Sequence, residues 1–269
     1  MFGRRPDGTL VRDLPPIRRF MPFISPGRND SAVYLSQEID VEPALELVEA
    51  WNRERPDGPK LTFFHLVLRA IARVLDERPR LNRFVAGGRV WQRRGIWLTF
   101  SAKKRLEESA PIVTVKLELD PRAPLDEMLA RIHGALEDRR SDRPDTSDRE
   151  VAWLLRLPPL LVRLALAAAR AFDALGLLPA AMIRSDPMFA SAFIANLGSV
   201  GLDAGYHHLW EYGTIPIFCV VGRIREGADG RRRALLKYSF DERIEDGLYC
   251  ARSLERLRQL LEKPTELVG

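Results

Sequence analysis

Cysteine is almost missing from this chain. Only Cys219 and Cys250 occur, one in an apolar strand-like run and the other in a helical stretch. No disulfide framework is therefore expected, and a reducing cytoplasm is the default setting. No secretory leader is expected either, because the first residues, Met-Phe-Gly-Arg-Arg-Pro-Asp-Gly, are charged and lack an apolar core. No run approaches the roughly 18 uncharged apolar residues that a membrane span requires. Internal repeats and low-complexity segments are lacking too, which excludes solenoids and disordered tails.

What is present is a chain of 269 residues, 46% hydrophobic, long enough to bury a substantial core. The net charge is +5 and the isoelectric point is near 9.5, with arginine supplying most of the positive charge. That balance favours anionic ligands such as the phosphates of coenzyme A, or an anionic membrane face. Nucleic-acid binding is not expected, since no nucleic-acid motif accompanies the charge.

Residues 1–30 form a basic, proline-rich arm containing Arg18-Arg19-Phe20-Met21-Pro22-Phe23. Its aromatic residues pack on the body or on another subunit, or else meet a membrane. Residues 31–269 read as one domain. Alternation predicts a strand over 32–40, and a helix follows from about Pro43 to Arg55, where Pro56-Asp57-Gly58 stops it. Over 62–78, Phe64, Val67, Leu68, Ile71, Val74 and Leu75 make an apolar stripe. His65, Arg69 and Arg73 fall opposite it, so His65 is expected at the surface. Residues 84–91 and 95–101 predict a hairpin turning at Gln92-Arg93-Arg94, with 111–119 as a third strand. A helix over 125–139 then leads into a polar loop, 139–149.

The segment 151–183 departs from its surroundings. Arg156, Arg163 and Arg170 recur every seven residues and make one polar stripe on an otherwise apolar helix pair. Two fates remain open: packing against another subunit or within the domain, or lying in a bilayer interface with arginines toward head groups. Beyond it come Asn196-Leu197-Gly198, the stretch Tyr206-His207-His208-Leu209-Trp210-Glu211, a buried strand over 215–222 and an Arg/Gly-rich turn over 223–233. A strand with Leu236, Tyr238 and Phe240 on one face then runs into the acidic corner Asp241-Glu242-Arg243-Ile244-Glu245-Asp246-Gly247, from which a last helix starts at about Leu248.

This corner resembles the His-x-x-x-Asp-Gly signature of the CoA-dependent acyltransferase superfamily. That superfamily comprises the catalytic domains of 2-oxoacid dehydrogenase acyltransferases and the chloramphenicol acetyltransferases. Asp246-Gly247 is retained and Glu242 stands at the histidine position. An arginine-containing N-terminal segment, Pro79-Arg80-Leu81-Asn82 and Asn196-Leu197-Gly198 extend the likeness over most of the chain, in the same order. The resemblance implies an α/β fold, a chloramphenicol acetyltransferase-like mixed sheet flanked by helices, in a homotrimer with the site in a channel between subunits. It also implies coenzyme A or acyl-CoA as co-substrate and no metal. No lipoyl group is expected on this chain.

In that family the histidine takes the proton from a thiol, and an aspartate at the Asp246 position supports the corner. The substrate and oxyanion region is carried over to Ala195, Asn196 and Ser199, and Ala195 stands where a hydroxyl donor is usual. Free thiol, imidazole and carboxylic acid titrate near 8.5, 6.5 and 4.3, so glutamate as thiol base faces a mismatch of roughly 4 units. Relative to histidine that is about 3 kcal/mol more, or about two orders of magnitude in rate. Loss of an oxyanion donor costs about another 10²–10³-fold. His207 or His208 could supply a base beside Glu242, the pair could be structural, or one could bind a metal with Glu211, although no cysteine or acidic cluster completes a ligand set. The expectation is a stand-alone acyltransferase-family protein whose base is Glu242 with His207 or His208. The alternative is an inactive trimeric scaffold or ligand-binding pseudoenzyme, cytoplasmic, with 151–183 as its point of contact with a membrane surface.

Overall fold

A computed structural model describes residues 4–103, 112–140 and 153–268. Two short strands, β1 (Arg4–Arg5) and β2 (Gly8–Leu10), precede helix α1 (Pro16–Ile24), which starts on Pro16 where its missing N–H costs nothing. Strand β3 (Ala32–Asp40) leads to α2 (Glu42–Glu54) and then to α3 (Phe63–Glu77), whose first turn is capped by the Thr62 hydroxyl accepting from the His65 N–H. Strands β4 (Arg83–Ala86), β5 (Arg89–Arg93), β6 (Trp97–Lys103) and β7 (Ile112–Glu118) follow, then α4 (Leu125–Arg140). Helices α5 (Pro159–Leu175) and α6 (Ala180–Ser185) precede β8 (Ala192–Asn196), β9 (Ile217–Glu226), β10 (Arg232–Asp241) and α7 (Gly247–Glu262).

Six strands form one mixed sheet in the order β3-β10-β9-β8-β6-β7, parallel at β6/β8 and β8/β9 and antiparallel elsewhere. One face is buried under α2, α3, α4 and α7, where Leu66, Leu98, Ile194, Leu236 and Leu260 join the main core. Loop residues 202–216 cover the other face, bringing Leu209 and Ile215 onto Phe193, Phe218 and Val220. The four strands β1-β2-β5-β4 make a separate small sheet.

Four local expectations are corrected here. The hairpin turns at Gly87-Gly88 and not at Gln92-Arg93-Arg94: β4 pairs with β5, while β6 belongs to the large sheet. Both glycines have positive φ (58° and 67°), the geometry that a two-residue hairpin turn demands. His65, Arg69 and Arg73 do not face solvent as a polar surface. His65 and Arg69 are buried, because α4 lies across that side and sets the His133 ring 5.3 Å from His65. Arg69 and Arg73 reach the carbonyls of Asp120 and Pro121. The heptad stripe is also shorter than expected, since Arg156 stands in a turn before Pro158-Pro159 and only Arg163 and Arg170 lie on α5. The Arg/Gly-rich turn shrinks to residues 227–231, because β9 and β10 extend into it. The polar loop expected at 139–149 lies almost wholly outside the described residues.

Candidate functional site

The acidic corner is built from four carboxylates with different fates. Asp241, at the end of β10, is fully buried and takes a two-point contact from Arg243 (2.8 and 2.7 Å), with Arg28 at 3.8 Å. Arg243 in turn donates to the carbonyls of Ser25 and Pro26, which ties the arm to the corner. Glu245 is buried among Arg83 (2.9 Å), Arg80 (3.6 Å) and Arg18 (3.8 Å). Asp246 caps α7, accepting from the Tyr249 N–H at 2.9 Å, and this hydrogen bond holds its carboxyl below the usual range.

Glu242 is the exception. Its backbone is pinned on both sides: the N–H donates to the Ser31 carbonyl at 3.0 Å, and its carbonyl accepts from Arg18 at 2.7 Å. Its half-buried side chain has no hydrogen-bond or ion-pair partner among the described residues. The neighbouring Arg243 pairs with Asp241 and not with Glu242, because the two-residue spacing brings that guanidinium back onto the strand end.

His207 and His208 lie in the loop that covers the sheet. The His207 ring stacks on Phe218 at 4.0 Å, near Trp210 at 5.1 Å, and its Nδ1 contacts the His208 carbonyl at 2.7 Å. Burial lowers the His207 pKa. Its carbonyl accepts from the hydroxyl of Ser239, three residues before Glu242 on β10. Neither imidazole has a hydrogen bond or ring contact with Glu242. Glu211 accepts from the backbone N–H groups of Arg28 (3.0 Å) and Asn29 (2.9 Å) and from the Asn29 amide. Burial opposes its charge, but these donors outweigh burial and hold the carboxylate below its usual range. Arg28 closes the clamp by donating to the carbonyls of Trp210 and Gly213. A cavity of about 230 Å³ opens beside this clamp, lined by Arg28, Glu211, Arg243, Gly87, Ala174 and others.

Ala195 and Asn196 end β8. The Asn196 side chain accepts from the Ser199 N–H, and the Ser199 hydroxyl donates to the Asn196 carbonyl at 2.8 Å. Through β9, Ala195 is level with Val220, and Val220 with Lys237 of β10. Glu242 is five residues farther along, about 17 Å at strand rise. A single copy therefore keeps Glu242 and the Ala195–Ser199 region apart.

Among the described residues no group of three or more His, Cys, Asp or Glu side chains could hold a metal ion. Neither cysteine is a ready nucleophile: burial pushes the Cys219 thiol far up and the Cys250 thiol to about 11. Sequence reasoning passed over Arg28 and the Asp241–Arg243 pair. The available signal was the Asp-x-Arg spacing after an apolar strand, where a charge at a buried strand end must find a partner.

No protein-family model matches the chain, and no curated protein matches it by sequence. Solved structures do match. A probable dihydrolipoamide acetyltransferase from Listeria monocytogenes is 17% identical with a TM-score of 0.60, covering 94% of each chain. A dihydrolipoamide acetyltransferase from Azotobacter vinelandii is 17% identical with a TM-score of 0.62, covering 96% of this chain and 94% of the other. A chloramphenicol acetyltransferase is 13% identical with a TM-score of 0.57, covering 97% of this chain and 100% of the other. The chain thus has the mixed α/β fold of chloramphenicol acetyltransferases and dihydrolipoamide acetyltransferase cores.

Proposed function

We propose that this protein is a stand-alone acyltransferase that moves an acyl group from acyl-CoA to an acceptor, with Glu242 as the group that accepts the acceptor's proton. The observation that carries this reading is the division of labour at the corner. Asp241, Glu245 and Asp246 are engaged with arginines or a helix end, and of the four corner acids only Glu242 offers a carboxylate with no partner among the described residues, on a backbone held at both its N–H and its C=O. The fold it shares with acetyltransferases supports acyl chemistry. In this reading copies assemble as a homotrimer, and the Ala195–Ser199 region of one copy faces Glu242 of another across the boundary. With alanine at 195 the tetrahedral oxyanion lacks a side-chain hydroxyl there, and a carboxylate is a weak base toward a thiol. Thiol-to-thiol exchange of the dihydrolipoamide kind is accordingly not the favoured reaction.

The test is incubation of the purified protein with acetyl-CoA and longer acyl-CoAs plus candidate acceptors, following release of free thiol. Turnover that falls at least about 100-fold in Glu242→Gln fits the reading. Turnover untouched by that change removes Glu242 from the mechanism while leaving acyl transfer standing. A second reading, an acyl-CoA-binding protein without turnover, is favoured by Ala195 and by the engagement of His207 in an aromatic stack. It predicts acyl-CoA binding with no thiol release under any condition.

A further inference from the structure

Helix α5 is apolar and yet contributes no buried residue. Its half-buried positions, Val162, Ala169 and Asp173, share one side and face the body. At about 100° per residue, Leu160, Leu164, Ala171 and Leu175 fall on the opposite side. There Leu160 is 67% exposed and Leu164 is 56% exposed. Arg163 and Arg170, one heptad apart, run along the border between these faces. Asp173, the helix's sole acid, is already spent on Arg5 at 2.6 Å.

A second apolar helix stands next to it. The hairpin turn Gly87-Gly88 touches both elements. A Cβ on Gly87 would meet the Ala174 carbonyl of α5 at 2.2 Å, and one on Gly88 would meet the Phe23 ring of α1 at 3.1 Å. On α1, Ile17, Phe20, Phe23 and Ile24 are all more than half exposed, with Arg19 among them.

We propose that α5, together with α1, docks the protein on an anionic lipid bilayer. The helices lie in the plane of the interface, with the leucine and phenylalanine faces among the acyl chains and Arg163, Arg170 and Arg19 on head-group phosphates. Three features single out a bilayer as the occupant. The apolar face of α5 points away from the body, as an interfacial helix requires. Its flanking charge is of one sign and lacks acids to answer it. Helix α1 carries no acid and α5 only the engaged Asp173, so the same face of a second copy offers these arginines no counter-charge, whereas anionic head groups neutralise them. No helix among the described residues is long and apolar enough to cross the membrane, so attachment is to one leaflet. The proposal stands apart from the assignment of Glu242 and survives if that assignment fails.

The test is co-sedimentation of the full chain with vesicles of phosphatidylcholine alone and of phosphatidylcholine with phosphatidylglycerol in a two-to-one ratio, alongside measurement of the oligomer's mass. The wild type is expected to pellet with the anionic vesicles and far less with the neutral ones. Leu164→Glu should weaken binding at least about tenfold at unchanged mass, since Leu164 is exposed in the folded chain. Replacing Arg163 and Arg170 by glutamine should weaken it by about fivefold per arginine, an effect that added salt mimics. A wild type that fails to pellet with anionic vesicles overturns the proposal, as does a Leu164→Glu protein that pellets undiminished. A change in oligomer mass in Leu164→Glu overturns it in favour of a second copy as the occupant of this face.

Discussion

Ala195 on β8 is level with Lys237 on β10, and Glu242 lies five residues beyond that point, so the two positions occupy different parts of one sheet. A site that uses both must be assembled from two copies. This makes a mixing experiment informative. Co-expressed Glu242→Gln and Ala195→Trp chains, each inactive alone, should regain a measurable fraction of thiol-release activity, because some boundaries then pair an intact Glu242 with an intact Ala195. A mixture no more active than its parts would place the reaction within one chain.

Arg243 is held by Asp241 on two nitrogens and by two arm carbonyls on a third, all of it buried. Arg243→Met strips Asp241 of its principal partner, leaving Arg28 at 3.8 Å and the backbone N–H of residue 243 at 3.2 Å, and removes the Arg243 donor from the carbonyls of Ser25 and Pro26. Breaking a buried pair on one side costs about 3–5 kcal/mol. A urea titration should show the unfolding free energy lowered by that amount, seen as a lower midpoint at unchanged slope. The double variant Asp241→Asn, Arg243→Met should recover part of the loss, because the uncompensated Asp241 charge is then gone while Arg28 keeps Glu211 nearby and its carbonyl partners.

Burial against α4 lowers the His65 pKa to about 4, and the neighbouring His133 pushes the same way. The unfolded chain titrates near 6.5, so between these values it binds more protons than the folded one and stability rises with pH. The contribution is fully present above about pH 6.5 and is lost as pH falls toward 4, up to about 3 kcal/mol. Melting temperatures measured across that window should fall with acid in the wild type. They should fall less in His65→Phe, which keeps the ring and removes the titration.

Gly87 adopts φ of 58° with the Ala174 carbonyl of α5 directly against it. Gly87→Ala adds both backbone strain and a clash, so the end of α5 must move. The expected result is faster proteolysis within 153–180 at a global stability lowered by about 1–2 kcal/mol. Gly201→Ala gives the control: φ is also positive there, but no atom lies within 4 Å of the added Cβ, so only the backbone cost remains.

The main strands and helices were readable in the chain because their periods repeat. The alternation of Leu236, Tyr238 and Phe240 and the spacing of Phe64, Val67, Ile71 and Val74 report their own burial. The hairpin is misplaced by composition because Gln92-Arg93-Arg94 looks like a turn, whereas two glycines able to adopt positive φ at 87–88 decide where the chain reverses. His65 and Arg69 were placed outside because a helical stripe shows one buried face, and nothing local says that α4 will cover the other.

The amino-acid sequence by itself determined the fold, the acidic corner and the replacement of histidine by Glu242, since each is a matter of residue type and local spacing. Only the tertiary structure decided which acids are spent. Asp241, Glu245, Asp246 and Glu211 find partners at Arg243, Arg83, the start of α7 and the Arg28–Asn29 backbone. Arg83 and the Arg28–Asn29 backbone are far away in sequence from the acids they meet, and an isolated buried charge is too costly to leave unmet. Glu242 is the corner acid for which the described residues supply no such partner, and that physical fact marks it out.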